Sequence, residues 1–130
     1  MECVIDTLAI YWEGNLGANG RPLDLGNSLA YWIEACDPQD LKEVMPTVTD
    51  APGFMTRREL MERYAHRSGR DLSKVRFYVT FGYFRLAVAL QQIYARWKRG
   101  QTKDERFADF GKKVHTLVLH ASELAASGRI

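Results

Sequence analysis

Cysteine is scarce in this sequence, and the two that occur, Cys3 and Cys36, lie far apart and outside any C-x-x-C pairing. No disulfide framework can be built from them, and reduced, partly buried thiols are expected. Long apolar runs are also missing: the best candidate for a membrane helix, which requires ~18 uncharged residues, is interrupted by Arg85. No basic n-region with a small-residue cleavage site opens the chain, so the expectation is a cytoplasmic protein without membrane association. Charge of one sign is not in excess, since the net charge is only +2. No strong field then drives binding to nucleic acid, and the basic run Arg96–Lys103 reads as a solvated helix end.

Signatures of self-contained chemistry are absent too. Neither G-x-x-x-x-G-K-[ST] nor G-x-G-x-x-G occurs, nor does a G-x-S-x-G nucleophile elbow. His66, His115 and His120 form no H-x-x-x-H pair. On a helix, His115 and His120 would point about 140° apart, too divergent for one metal. They are expected at the surface or its boundary.

What remains is a pattern of helices within a single domain, residues 1–130, long enough to bury a core. Residues 3–12 are rich in Val, Ile, Leu and Tyr and suggest one or two short strands; Glu13–Pro22 follows as a Gly- and Asn-rich loop. Asp24 is expected to cap a helix whose apolar face is Leu25, Leu29, Trp32, Ile33 and Cys36, ending at Asp37-Pro38. Residues 37–55 hold three of the four prolines and read as a long surface connection, with one helical turn at Leu41–Met45. Thr56 opens a capping box, Thr-Arg-Arg-Glu, before a helix with Leu60, Met61, Tyr64 and Ala65 inside and Gly69 at its end.

From Asp71 to Gly100 there is no proline, and a helix of about 27 residues would span roughly 40 Å. Between Phe77 and Leu90 it is apolar almost all round, which predicts burial by neighbours on several sides. Arg85 falls in that stretch. A buried guanidinium needs a carboxylate, for which Asp24 and Glu34 are candidates, unless its head reaches the surface or faces an anion in a pocket. Thr102 starts a second capping box, and Phe107, Phe110, Val114, Leu117, Val118, Ala121, Leu124 and Ala125 trace an amphipathic helix to Gly128.

The ordered pieces LAIYWE, GRPLDLGNSLAYW, PTVTDAPGF, ELMERYAHRSGRDLS, FRLAVALQQIYARWKRGQT and DERFADFG resemble the aminoglycoside phosphotransferase/choline kinase-like superfamily. The similarity is closest to bacterial phosphotransferases related to the kinase-like domains fused to acyl-CoA dehydrogenases. It implies a mainly α chain: residues 1–22 as a strand-and-loop remnant of a kinase-like C-lobe, and 23–130 as its helical subdomain. Complete members use ATP and Mg²⁺, held by a nucleotide lobe and a His-Gly-Asp catalytic loop that precede the matched segment. At the family's metal-binding aspartate stands Tyr11, a poor ligand for a hard cation, with Asp6 the only rival. The resemblance therefore implies no catalytic, metal or cofactor residue in this chain, and no phosphotransfer by it alone. Trp32, Tyr83 and Arg85 are the candidates for an acceptor pocket. The expected partners are a second copy of the chain, in a homodimer that closes exposed apolar surface, or a separately encoded nucleotide lobe.

Overall fold

The computed structural model describes residues 22–130. The expected N-terminal strands, with Cys3, Asp6 and Tyr11, lie outside the described residues. Among the described residues there is no strand, and the architecture is mainly helical. Five α-helices follow one another: α1 (Pro22–Tyr31), α2 (Gln39–Val44), α3 (Arg57–Ser68), α4 (Val75–Lys98) and α5 (Phe110–Ser127).

The central helix α4 carries α5 along one side and α1 along the other. Successive contacts fix the directions. Tyr83 meets His120, Tyr94 lies over Gly111 and Arg76 reaches Gly128, so α5 returns antiparallel to α4. Gly26 faces Tyr78 and Ala30 faces Gly82, so α1 runs the same way as α4. Leu25, Leu29 and Ile33, then Val75, Val79, Tyr83 and Ala87, then Leu117, Ala121 and Leu124 fill the space between them. Leu41 and Met45, at and just beyond α2, close one end of this core.

Two glycines let α1 and α4 approach. A Cβ at Gly26 would stand 2.5 Å from the Tyr78 backbone carbon, and one at Gly82 would stand 3.1 Å from the Gly26 carbonyl oxygen. Glycine inside a helix ordinarily costs about 1 kcal/mol relative to alanine. Here it allows backbone contact that no other residue permits.

Helix boundaries depart from the sequence-based expectation at three places. First, Asp24 lies inside α1, which already includes Pro22, and not at its cap. The same helix stops at Tyr31, before Asp37. Ile33 N–H donates to Thr49 Oγ1 (2.9 Å), Thr49 Oγ1 donates back to the Ile33 carbonyl, and Glu34 N–H donates to Asp37 Oδ2. Those polar partners replace the next helical turn. Second, α4 starts at Val75, because Asp71 accepts from both the N–H and the hydroxyl of Ser73 and holds the entry as a turn. Third, Thr102 caps nothing. Asp104 takes the Arg106 N–H at 3.0 Å and opens a short 3₁₀ turn, Glu105–Phe107, while α5 begins only at Phe110. The Thr102 hydroxyl is left buried and without a hydrogen-bond partner.

The first capping box is formed as expected. Glu59 N–H donates to Thr56 Oγ1 and Thr56 N–H donates to Glu59 Oε2 at 2.7 Å, while Gly69 ends the helix at φ +64°. The two threonines should therefore separate in denaturant melts. Thr56→Ala should cost ~1 kcal/mol, the usual loss of a cap. Thr102→Val, which removes an unpartnered buried hydroxyl, should be neutral or stabilising. Equal losses at both positions would place a working cap at Thr102 after all.

Candidate functional site

Beneath the α1–α2 connection lies a buried ionic cluster to which four segments contribute. Arg57, the first residue of α3, is only 6% exposed. Its guanidinium forks onto Asp37, with Nη1 donating to Oδ1 at 2.9 Å and Nη2 donating to Oδ2. Its backbone N–H, an orphan donor at the helix start, donates to the Glu34 carboxylate, which also lies 3.7 Å from Nη1. Burial by itself would lower the affinity of Arg57 for its proton. The Asp37 hydrogen bonds and the surrounding negative charge outweigh it, so the guanidinium holds its proton more tightly than usual.

Two side chains from the long helices complete the cluster. Tyr83 of α4 is fully buried, and burial pushes its phenol up to about 12 even though Arg57 acts in the other direction. His120 of α5 stands edge-on to the Tyr83 ring, with centroids 4.8 Å apart. Burial, and then the Arg57 charge, hold its imidazole below the ordinary histidine range; Asp37, Glu123 and Asp40 pull the other way.

Glu34, Cys36 and Asp37 bring ligand-type atoms within 4.8 Å of one another. Both carboxylates are already engaged by Arg57, and a cation placed there would compete with the guanidinium for the same oxygens. The thiol is exposed, contrary to expectation, and makes only a 3.6 Å contact with Glu34 Oε2. The geometry is that of a clamp between the α1–α2 connection and α3.

The three candidate pocket residues do not converge. Trp32 is buried, its indole N–H donating to the Met55 carbonyl at 2.8 Å and its ring edge-on to Phe54. Tyr83 belongs to the core cluster. Arg85 is exposed on α4 and, among the described residues, has no hydrogen bond or ion pair. A buried guanidinium does bind Glu34, but it is that of Arg57. Sequence reasoning placed Arg57 inside a capping box and gave it no role of its own. The only hint of its role was a pair of carboxylates, Glu34 and Asp37, beside an apolar segment.

A second feature lies on the opposite side of α4. Phe77 is 66% exposed and Phe84 53%, and Phe81 and Val88 are exposed with them. The expectation of burial on several sides thus fails on this face. The Phe77 and Phe81 rings stack with centroids 6.3 Å apart. Where the stripe meets α5, a groove of about 540 Å³ opens, floored by Phe84, Val88, Ala95, Val114 and Val118 and edged by Arg96 and Arg99. Among the described residues no helix is long and apolar enough to cross a membrane. No protein-family model, curated protein or solved structure matches the chain.

Two outcomes follow for the clamp. Asp37→Ala strips a buried guanidinium of both its side-chain hydrogen bonds, leaving only Glu34 nearby, and should cost about 3 kcal/mol in urea unfolding, while adding Arg57→Met to it should recover part of that loss. An additive double mutant would show that the two groups are not coupled.

The His120 shift sets a pH window. Its folded-state pKa is depressed, so the stability it supports is complete above the ordinary value of 6.5 and is lost as pH falls through the lower folded value. Urea midpoints of the parent chain should drop between pH 7.5 and 5.5, and those of His120→Gln should drop less. Parallel curves for the two proteins would remove His120 from the account.

Proposed function

We propose that this chain acts by docking: it is the helical, acceptor-side subdomain of an aminoglycoside phosphotransferase/choline kinase-like protein, inactive until a nucleotide-binding part is supplied. The observation that carries this reading is the exposed stripe Phe77, Phe81, Phe84 and Val88 on the face of α4 turned away from its own core. Contiguous apolar patches of this kind mark interaction surfaces. The sequence resemblance supplies the class of the whole, and the chain offers no phosphate-cradling loop of its own. Phosphoryl transfer depends on a positioned Mg²⁺, phosphate clamps and a base near the acceptor hydroxyl. ATP and Mg²⁺ would accordingly be bound by the added part, with this chain walling the acceptor side.

A homodimer is the second reading, because the stripe is the surface that a two-fold contact would close. Sedimentation equilibrium at micromolar concentration separates the two readings. A monomer near 14.9 kDa that binds an apolar dye, with Phe84→Glu abolishing the dye signal, supports docking by a different partner. A concentration-dependent dimer supports the second reading. Alongside, an ATP-consumption assay with hydroxyl acceptors should show no turnover; activity surviving repurification would sink the proposal that the chain is inactive alone.

A further inference from the structure

Along one face of α4, the exposed residues Phe77, Phe81, Phe84, Val88 and Gln91 and the half-buried Ala95 follow one another at alternating steps of four and three. That is the spacing of a coiled-coil seam, averaging about 3.5 residues, which keeps one stripe facing a partner helix along its whole length. It is a second seam, because Val75, Val79, Tyr83 and Ala87 already serve the protein's own core. The groove between α4 and α5 widens the seam into a trough, with Val114 and Val118 as its far wall.

Charge then selects among partners. From Val75 to Gln101 the sequence holds no aspartate or glutamate, while Arg76, Arg85, Arg96, Lys98 and Arg99 are cationic. Arg85 and Arg99 occupy the same flanking register beside the seam, two heptads apart, where coiled coils place the charges that choose the partner. Neither side chain has an ion-pair or hydrogen-bond partner among the described residues. Arg96 and Arg99 both edge the groove. A second copy laid on this face would bring arginines against arginines with no acid to offset them. We infer that the trough is a docking site for an acidic amphipathic α-helix, one with apolar residues at heptad spacing and glutamate or aspartate on its flanks.

This rests on reading the α4 face as a docking surface, and the test separates the two. The probe is a fluorescent 21-residue peptide of three heptads with leucine at both seam positions and glutamate on the flanks; its twin has lysine on the flanks. Such a helix spans about 30 Å, enough to cover Phe77 to Ala95. Fluorescence anisotropy with the 130-residue chain should detect the acidic peptide and not the basic one. Raising salt from 0.05 to 0.5 M should weaken binding, since these charges are exposed.

Two surface variants refine the result. Arg85→Glu combined with Arg99→Glu should weaken the acidic peptide roughly tenfold and admit the basic one, as two lost exposed ion pairs would. Phe84→Glu should abolish binding of both, with circular dichroism confirming that each variant remains helical. Equal binding of the two peptides would overturn the charge argument and leave a docking face. Binding of neither, by a monomeric chain, would overturn both the inference and the docking reading. A chain already dimeric through Phe84 overturns the inference in favour of a second copy. Partition onto vesicles rich in phosphatidylserine without peptide binding overturns it in favour of a membrane surface.

Discussion

The Arg57–Asp37 fork is the constraint on which the arrangement of the smaller elements depends. Helix α3 lays Leu60, Met61 and Tyr64 against the core, and its first residue is anchored in the ionic cluster, which fixes where the helix begins. Two charges removed from water are costly unless the geometry offsets them. Here two parallel hydrogen bonds and a second carboxylate serve the Nη1 and Nη2 ends, while the buried Arg57 Nε has no hydrogen-bond partner. The same carboxylates also organise the backbone: Asp37 receives Glu34 N–H, and Glu34 receives Arg57 N–H. The end of α1, the start of α3 and the turn between them are thus specified together. Buried Tyr83 and half-buried His120 place the cluster against α4 and α5, which couples the connection to the helical core.

Sequence patterning was informative where periodicity and local chemistry agree. The amphipathic spacing of α5 and the uninterrupted length of α4 gave the helical class, and the Thr56 box predicted a cap that the fold contains. It misplaced features decided by competition between local polar groups. Thr-Lys-Asp-Glu at 102–105 satisfies the pattern of a capping box, yet Asp104 turns its carboxylate to the nearer Arg106 N–H and leaves Thr102 aside. The end of α1 was misjudged for a related reason. Its backbone donors are taken by Thr49 and Asp37, partners distant enough or unremarkable enough that no periodicity reveals them.

The candidate site was less legible than the fold. Arg85 stood out because it breaks an apolar run, but a helix can turn one arginine outward without disturbing its neighbours. Arg57 did not stand out, because it follows a cap and precedes another arginine. Which of two arginines is buried depends on where a loop brings its carboxylates, and that is a tertiary fact. The uncovered face of α4 was closer to being legible. An apolar helix with few elements to surround it implies exposed surface, and the two steps of its seam, four and three, show which residues share that surface.

The close approach of α1 and α4 explains why this face stays outward. Rotating α4 to bury Phe77 and Phe84 would carry Gly82 away from Ala30 and Gly26, and any side chain brought into its place would meet the Ala30 methyl at 2.9 Å and the Gly26 carbonyl oxygen at 3.1 Å, closer than van der Waals contact allows. Tyr83 would also leave its place in the core and its contact with His120. The core therefore fixes the rotation of α4, and by fixing it holds the second seam in the solvent. A surface maintained by the packing behind it is pre-organised for a partner: the seam residues need not be exposed by a conformational change, and association need not first disrupt the core. For the proposed partner helix, the ordering cost would fall mainly on that helix and on a few long cationic side chains at the rim.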